Sequence, residues 1–189
     1  MKRLAVILTE GFADWEYGFL AGTAAPFYGL ELRFFTPKAG IVRSQGGLKA
    51  NVDLGLDEMR AWSADMVVII GGMIWETAEA PDLGDTLRAQ LAGGGWVAGI
   101  CGGTLALARA GALDAVRHTS NAAPFLQQVE NYGGQALYQE GGAAISDGHV
   151  ITAPGTAPVS FTAAIFEAVG VVPDQVSGFR TMLAAEHLA

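Results

Sequence analysis

Short apolar runs alternate along this chain with longer stretches of helical spacing. Residues 4–8, 66–70 and 96–100 are almost wholly apolar, with β-branched side chains in each. Runs of that length, bounded by Gly or polar residues, predict strands buried on both faces. Residues 30–35 predict another strand, closed by Pro37. Helical spacing covers residues 13–28, 57–62, 82–91, 104–110, 124–132 and 158–169, and Gly93-Gly94-Gly95 and Gly133-Gly134 stop two of these segments. Residues 41–53, around Gly46-Gly47, predict a small hairpin or irregular excursion. Residues 143–152 predict a hairpin turning at Asp147-Gly148. From Pro173 to residue 189 the pattern weakens to a tail, with a short helix from Gly178 onward. Buried strands alternating with helices predict a mostly parallel, doubly wound α/β sheet, built as a single domain over residues 1–189.

Composition narrows the function classes. The chain is 51% hydrophobic and 16% charged, which describes a packed globule rather than a disordered segment. A formal net charge of −8 argues against binding a nucleic-acid backbone or an anionic membrane surface. The basic start, Met1-Lys2-Arg3, resembles the head of a secretion signal, but the apolar run behind it is too short and lacks a cleavage pattern. No stretch is long and apolar enough to span a bilayer. A single cysteine forms no internal disulfide and suits a reducing cytoplasm.

That cysteine carries the chemistry. Cys101 follows the predicted strand 96–100 and precedes Gly102-Gly103 and a helix, the local pattern of a nucleophile elbow. The helix N-terminus there favours a thiolate, so a depressed thiol pKa is expected. Two further features fall at strand ends, where doubly wound sheets bind ligands. Gly71-Gly72 brings backbone close to the site, and the N–H groups of Gly72 and Gly102 are candidates for an oxyanion hole. Glu16 lies in the first turns of the helix after the first strand, flanked by Trp15 and Tyr17. Partial burial there would raise its pKa and let it donate a hydrogen bond to a thiolate. Taken singly, a tight turn, a solvated carboxylate and a buried thiol are the plainer readings; their joint occurrence is what points to a site. Met73-Ile74-Trp75, next to Gly72, is read as either a pocket wall or subunit contact, or a loop packed onto the core.

With these residues in hand, the chain resembles the ThiJ/PfpI superfamily, which has a class I glutamine amidotransferase-like, flavodoxin-type fold. The resemblance covers nearly the whole chain. It rests on Glu16, Gly71-Gly72, the elbow from Ala98 to Cys101, the segment Ala153-Pro154-Gly155-Thr156, and the Phe161 and Ala164 helix. It implies a homodimer and a range of activities: intracellular proteases or amidases, glyoxalase-like and deglycase-like stress proteins, isonitrile hydratases, and regulators. Catalytic members often carry histidine directly after the nucleophile, where this chain has Gly102. Others place one downstream, and there Asn121 stands at the matching position. His118 is the nearby imidazole that could act as general base, its ring directed either to the site or into the core. His149 and His187 are bystanders. No His-x-Glu completes a glutaminase triad, no metal-ligand spacing occurs, and no dinucleotide or Walker loop is present, so no cofactor is expected.

Two functions remain open from the sequence. One is a cysteine-dependent enzyme, an amidase/hydrolase or glyoxalase-like lyase, in which Cys101 attacks a small electrophilic substrate with Glu16, His118, Gly72 and Gly102 in support. The other is a non-hydrolytic redox-sensing or stress-response protein that uses oxidation of Cys101. The absence of histidine at its usual places favours the second; the elbow itself does not discriminate.

Overall fold

Alternation along each buried strand divides the side chains between two helical layers. In the computed structural model, which describes residues 1–185, strands β1 (Arg3–Ile7), β2 (Glu31–Phe35), β5 (Met66–Ile69), β6 (Trp96–Ile100), β7 (Ile145–Asp147) and β8 (Val150–Ala153) form one sheet in the order β2-β1-β5-β6-β8-β7. All neighbours are parallel except β7, which pairs antiparallel to β8. Strands β3 (Gly40–Arg43) and β4 (Lys49–Val52) make a separate hairpin.

On one face, Leu4, Val6, Val68, Ala98 and Ile151 pack against helices α1 (Asp14–Tyr28), α6 (Pro158–Ala168) and α7 (Pro173–Ala184). On the other, Ala5, Ile7, Val67, Val97 and Val150 pack against α2 (Leu56–Trp62), α3 (Gly84–Ala92), α4 (Gly103–Arg109) and α5 (Ala123–Gln127). The chain is therefore the doubly wound α/β fold its pattern predicts. It runs from β1 outward to β2, then back across β1 to β5. That reversal leaves a crevice at the carboxyl ends of β1 and β5, with the end of β6 beside it.

Several boundaries differ from the pattern-based expectation. Helix α5 ends at Gln127 rather than 132, because the Val129 and Tyr132 N–H groups reach back only three residues and Asn131 turns left-handed at φ 62°. Helix α7 begins at Pro173, well before Gly178. Val176 and Phe179 bury on α6, with the Phe166 and Phe179 rings 5.5 Å apart, and that packing outweighs the weak helix propensity of Gly178. The β7–β8 turn is Gly148-His149, one residue later than expected, since Asp147 already pairs with Val150. His187 lies outside the described residues. No described helix is long and apolar enough to cross a membrane.

Candidate active site

Three strand ends deliver the central residues. Cys101 follows β6 directly and sits at φ 53°, a left-handed conformation that is costly for a side chain with a Cβ. Such strain persists only where the surroundings enforce it. Here the Cys101 N–H donates to Ala153 O at 3.0 Å, and the Thr104 hydroxyl donates to Cys101 O at 2.6 Å, holding the elbow from both sides. The cysteine is half-buried.

Glu16 is fully buried in the first turn of α1. The start of that helix is fixed to the end of β5 by the Ala13 N–H donating to Gly71 O at 3.0 Å. The β3–β4 turn fixes it from the other side: the Gly46 N–H donates to Asp14 Oδ2 at 2.7 Å and the Gln45 N–H to Phe12 O at 2.9 Å. The Glu16 carboxyl accepts the Gly71 N–H on Oε2 at 2.7 Å, while Oε1 has no hydrogen-bond partner among the described residues. Gly71 must be glycine for this contact. A Cβ there would lie 2.6 Å from Glu16 Oε2 and 2.7 Å from Cys101 Cβ. On the opposite wall, a Cβ on Gly155 would lie 3.0 Å from Cys101 Sγ and 3.2 Å from Glu16 Oε1. Thiol and carboxyl thus border one small space.

Electrostatics couple the two groups. Burial pushes the Glu16 carboxyl up to about 7, against the opposing pull of the Gly71 N–H and of Cys101. Burial, then the charge of Glu16, pushes the Cys101 thiol up to about 11, although the Asn121 amide and Gly102 N–H favour its anion. Beside an ionised Glu16 the expected depression of the thiol pKa is corrected: removing the sulfur from water next to a carboxylate outweighs the donors around it. The two groups titrate as a pair, losing one proton near neutrality and the second only at strongly alkaline pH.

Of the two candidate oxyanion donors, the Gly102 N–H acts on the sulfur itself. Among the described residues, the Gly72 N–H has no backbone carbonyl partner. Trp75 is not a pocket wall: the 3₁₀ turn Met73–Glu76 folds its indole into the core, where Nε1 donates to Ile70 O at 2.9 Å, and of the three apolar residues Met73, Ile74 and Trp75 only Met73 stays well exposed. Two surface cavities lie away from Cys101. One of about 650 Å³ sits under the amino ends of β1, β5 and β6, and one of about 320 Å³ lies between α1 and α7. Among the described residues, no group of three or more His, Cys, Asp or Glu side chains is placed to hold a metal ion.

The DJ-1/PfpI family model matches residues 2–168. The chain belongs to that family. It is 34% identical over 186 residues to the uncharacterized protease YoaZ of Bacillus subtilis, covering 92% of this chain and 86% of YoaZ. It is 30% identical over 161 residues to protein dj-1beta of Drosophila melanogaster, covering 82% of this chain and 83% of that protein. Among solved structures it is similar to the DJ-1 superfamily protein Atu0886 of Agrobacterium tumefaciens, with a TM-score of 0.95 and 38% identity over 99% of this chain and 100% of that one.

Within this DJ-1/PfpI chain the two directions left open for the His118 ring resolve to the core. The His118 side chain is buried, and both ring nitrogens are engaged away from the sulfur. Nδ1–H donates to Val116 O at 2.8 Å and Nε2 accepts the Tyr132 hydroxyl, with the Tyr132 and Tyr138 rings edge-on to the imidazole. Burial lowers its pKa and keeps it neutral. The candidate role of His118 as general base for Cys101 therefore has no support in the geometry, because a loop packed with aromatic rings claims the imidazole. His118→Ala is expected to cost about 1–3 kcal/mol by stranding the Tyr132 hydroxyl and the Val116 carbonyl. Urea unfolding measures that loss, and Cys101 alkylation should stay close to wild type.

Asn121 is the residue that reaches the sulfur, with Nδ2 donating to Sγ at 3.2 Å. The sequence places Asn121 at the family's histidine position but gives it no role. Gly155 and Trp15 were likewise unassigned, although Ala153-Pro154-Gly155-Thr156 stands out as a motif.

Proposed function

We propose that this protein is a cysteine-dependent enzyme acting on small α-oxoaldehydes such as methylglyoxal. The observation that carries the reading is a half-buried thiol and a fully buried carboxyl bordering one small space, with no imidazole engaged at the sulfur. In the first step the sulfur bonds to the aldehyde carbon, and the carbonyl oxygen takes up a proton to give a hemithioacetal. The Glu16 carboxylate then removes the hydrogen on that carbon as a proton and returns it to the neighbouring keto carbon, while the hemithioacetal hydroxyl gives up its proton and the former keto oxygen gains one. Two electrons thereby move from one carbon to the other, leaving a 2-hydroxy thioester. Water cleaves the thioester, releasing a 2-hydroxy acid and regenerating the thiol. A carboxyl titrating near neutrality suits both proton transfers. In this reading the Gly72 and Gly102 N–H groups stabilise oxyanions along the path. The narrow space between Gly71 and Gly155 suits a small substrate.

Two Bacillus subtilis relatives, YoaZ and YdeA, carry the name protease, so peptide hydrolysis is the competing activity. Amide cleavage needs a proton delivered to a leaving amine, commonly by imidazole, and that group is missing from the sulfur here. Purified protein should convert methylglyoxal to lactate and leave a peptide anilide intact. Anilide cleavage without lactate formation would contradict the reading.

A second reading has one observation in its favour. The half-buried sulfur accepts the Asn121 amide and the Gly102 N–H favours its anion, donors that suit the oxygens of an oxidised sulfur as well as those of a substrate adduct. Mass spectrometry after mild peroxide reads that chemistry directly. Both readings place the protein in a reducing cytoplasm, where a lone thiol stays free, and as a homodimer, as the family resemblance implies.

A further inference from the structure

We propose that Asn121 is the positioning residue that commits the proton shared by Cys101 and Glu16 to the carboxyl, by holding an amide donor on the sulfur. The inference rests on the reading of Cys101 and Glu16 as the reacting pair.

A side-chain amide has one donating end and one accepting end, and packing alone distinguishes them poorly. Here the surroundings leave no choice. The Gly155 N–H is a donor only, and it meets Asn121 Oδ1 at 2.9 Å. The other end, Nδ2, is thereby aimed at Sγ. The Gly155 peptide is itself held, because its carbonyl accepts the Trp15 indole Nε1–H at 2.9 Å. The segment carrying Asn121 is held too: the Thr119 N–H donates to Thr152 Oγ1 at 2.9 Å, and the Gln139 N–H donates to His118 O at 2.8 Å. An amide has no proton to lose in the working pH range, so the donor faces the sulfur at every pH.

With one proton in the pair, two arrangements compete. In the first, the carboxyl is ionised and the thiol neutral. Glu16 Oε1 is then a buried anionic oxygen with only a weak S–H donor to meet, and Asn121 donates to an uncharged sulfur. In the second, the sulfur carries the charge. It then accepts from Asn121 Nδ2 and the Gly102 N–H, and from a proton on Oε1, the carboxyl oxygen that otherwise has no partner. Hydrogen bonds to an ionised acceptor are roughly twice as strong as neutral ones. Asn121 therefore tilts the balance to the second arrangement, in which the sulfur is nucleophilic and Glu16 holds the proton.

The titratable groups facing this cluster are few. Helix α1 contributes Glu16. Gly71-Gly72 after β5 and Ala153–Thr156 after β8 contribute none, and the segment before Asn121 contributes only His118, turned to Val116 and Tyr132.

Asn121→Asp separates this role from a structural one. Its carboxylate keeps an acceptor for the Gly155 N–H but replaces the donor at the sulfur with a second anion. Iodoacetamide alkylation at pH 7 should fall by about tenfold or more, and its midpoint should rise by about one pH unit or more. An unchanged profile would overturn the proposal. Should the variant fail to fold, the wild-type protein supplies the answer. The ¹⁵N-labelled Asn121 side-chain amide resonance should shift with the first ionisation of the pair, and a flat trace from pH 5 to 9 would overturn the proposal. A wild-type protein inert to methylglyoxal whose alkylation still responds to Asn121→Asp removes the proposed reaction and keeps this inference. Full turnover with an Asn121→Asp profile like wild type does the reverse.

Discussion

Glu16→Gln is expected to lower methylglyoxal turnover by roughly 10²–10⁴-fold, the usual loss when a general acid–base group is removed. Gln keeps the size of the side chain and an oxygen for the Gly71 N–H, so the fold should survive. What disappears is the ability to take the substrate proton and return it. The same substitution has a separable effect on stability. A carboxyl raised to about 7 in the folded protein stays protonated there while the unfolded chain, titrating near 4.5, has already released its proton. Between those values the native state binds more protons than the unfolded state, so wild-type stability falls as pH rises through this window. Glu16→Gln removes that dependence. Its stability advantage over wild type should be least at acid pH and should grow as pH approaches neutrality. A variant with near-normal turnover and a stability–pH curve parallel to wild type would reduce Glu16 to a helix carboxylate.

Gly71→Ala is expected to disable the site through geometry alone. The added methyl would lie 2.7 Å from Cys101 Cβ and 2.6 Å from Glu16 Oε2, closer than packed atoms approach. Neither neighbour can yield freely. Cys101 is held at the elbow by Ala153 and Thr104, and Glu16 is enclosed under α1. Overpacking of this kind costs about 1–3 kcal/mol. A displacement of the reacting groups by about an ångström costs about 10² in turnover. Thermal melting and lactate formation measure the two effects. A Gly71→Ala protein with wild-type turnover would show that the carboxyl and thiol need not be held this closely.

The features legible in the sequence were those fixed locally. A buried strand running into Cys-Gly-Gly and a helix specifies an elbow, and the left-handed backbone at Cys101 bears it out. Gly71-Gly72 and Glu16 were legible because a doubly wound sheet brings its strand ends together. What depends on distant segments was not. The orientation of the His118 ring is set by Tyr132 and Tyr138, and nothing near His118 in sequence reveals that both nitrogens are claimed. Asn121 is exposed and polar, so its part emerges only when β8 brings Gly155 alongside it. Trp75 after a Gly-Gly pair was open to a surface reading, yet one turn of 3₁₀ helix is enough to bury the indole. The thiol pKa beside an ionised Glu16 differs from expectation for a related reason: the donors near Cys101 can be read from sequence, but the desolvation and the carboxylate that oppose them come from the assembled core.

The protonation state of Glu16 tests the central claim most directly. Infrared difference spectra of wild type against Glu16→Gln isolate the C=O stretch of its protonated carboxyl. This band should persist through pH 5 and 6, where exposed carboxylates are already ionised. Disappearance of the band together with those of surface carboxylates, near pH 4, would show an ordinary glutamate and contradict the shared proton on which the proposed chemistry depends.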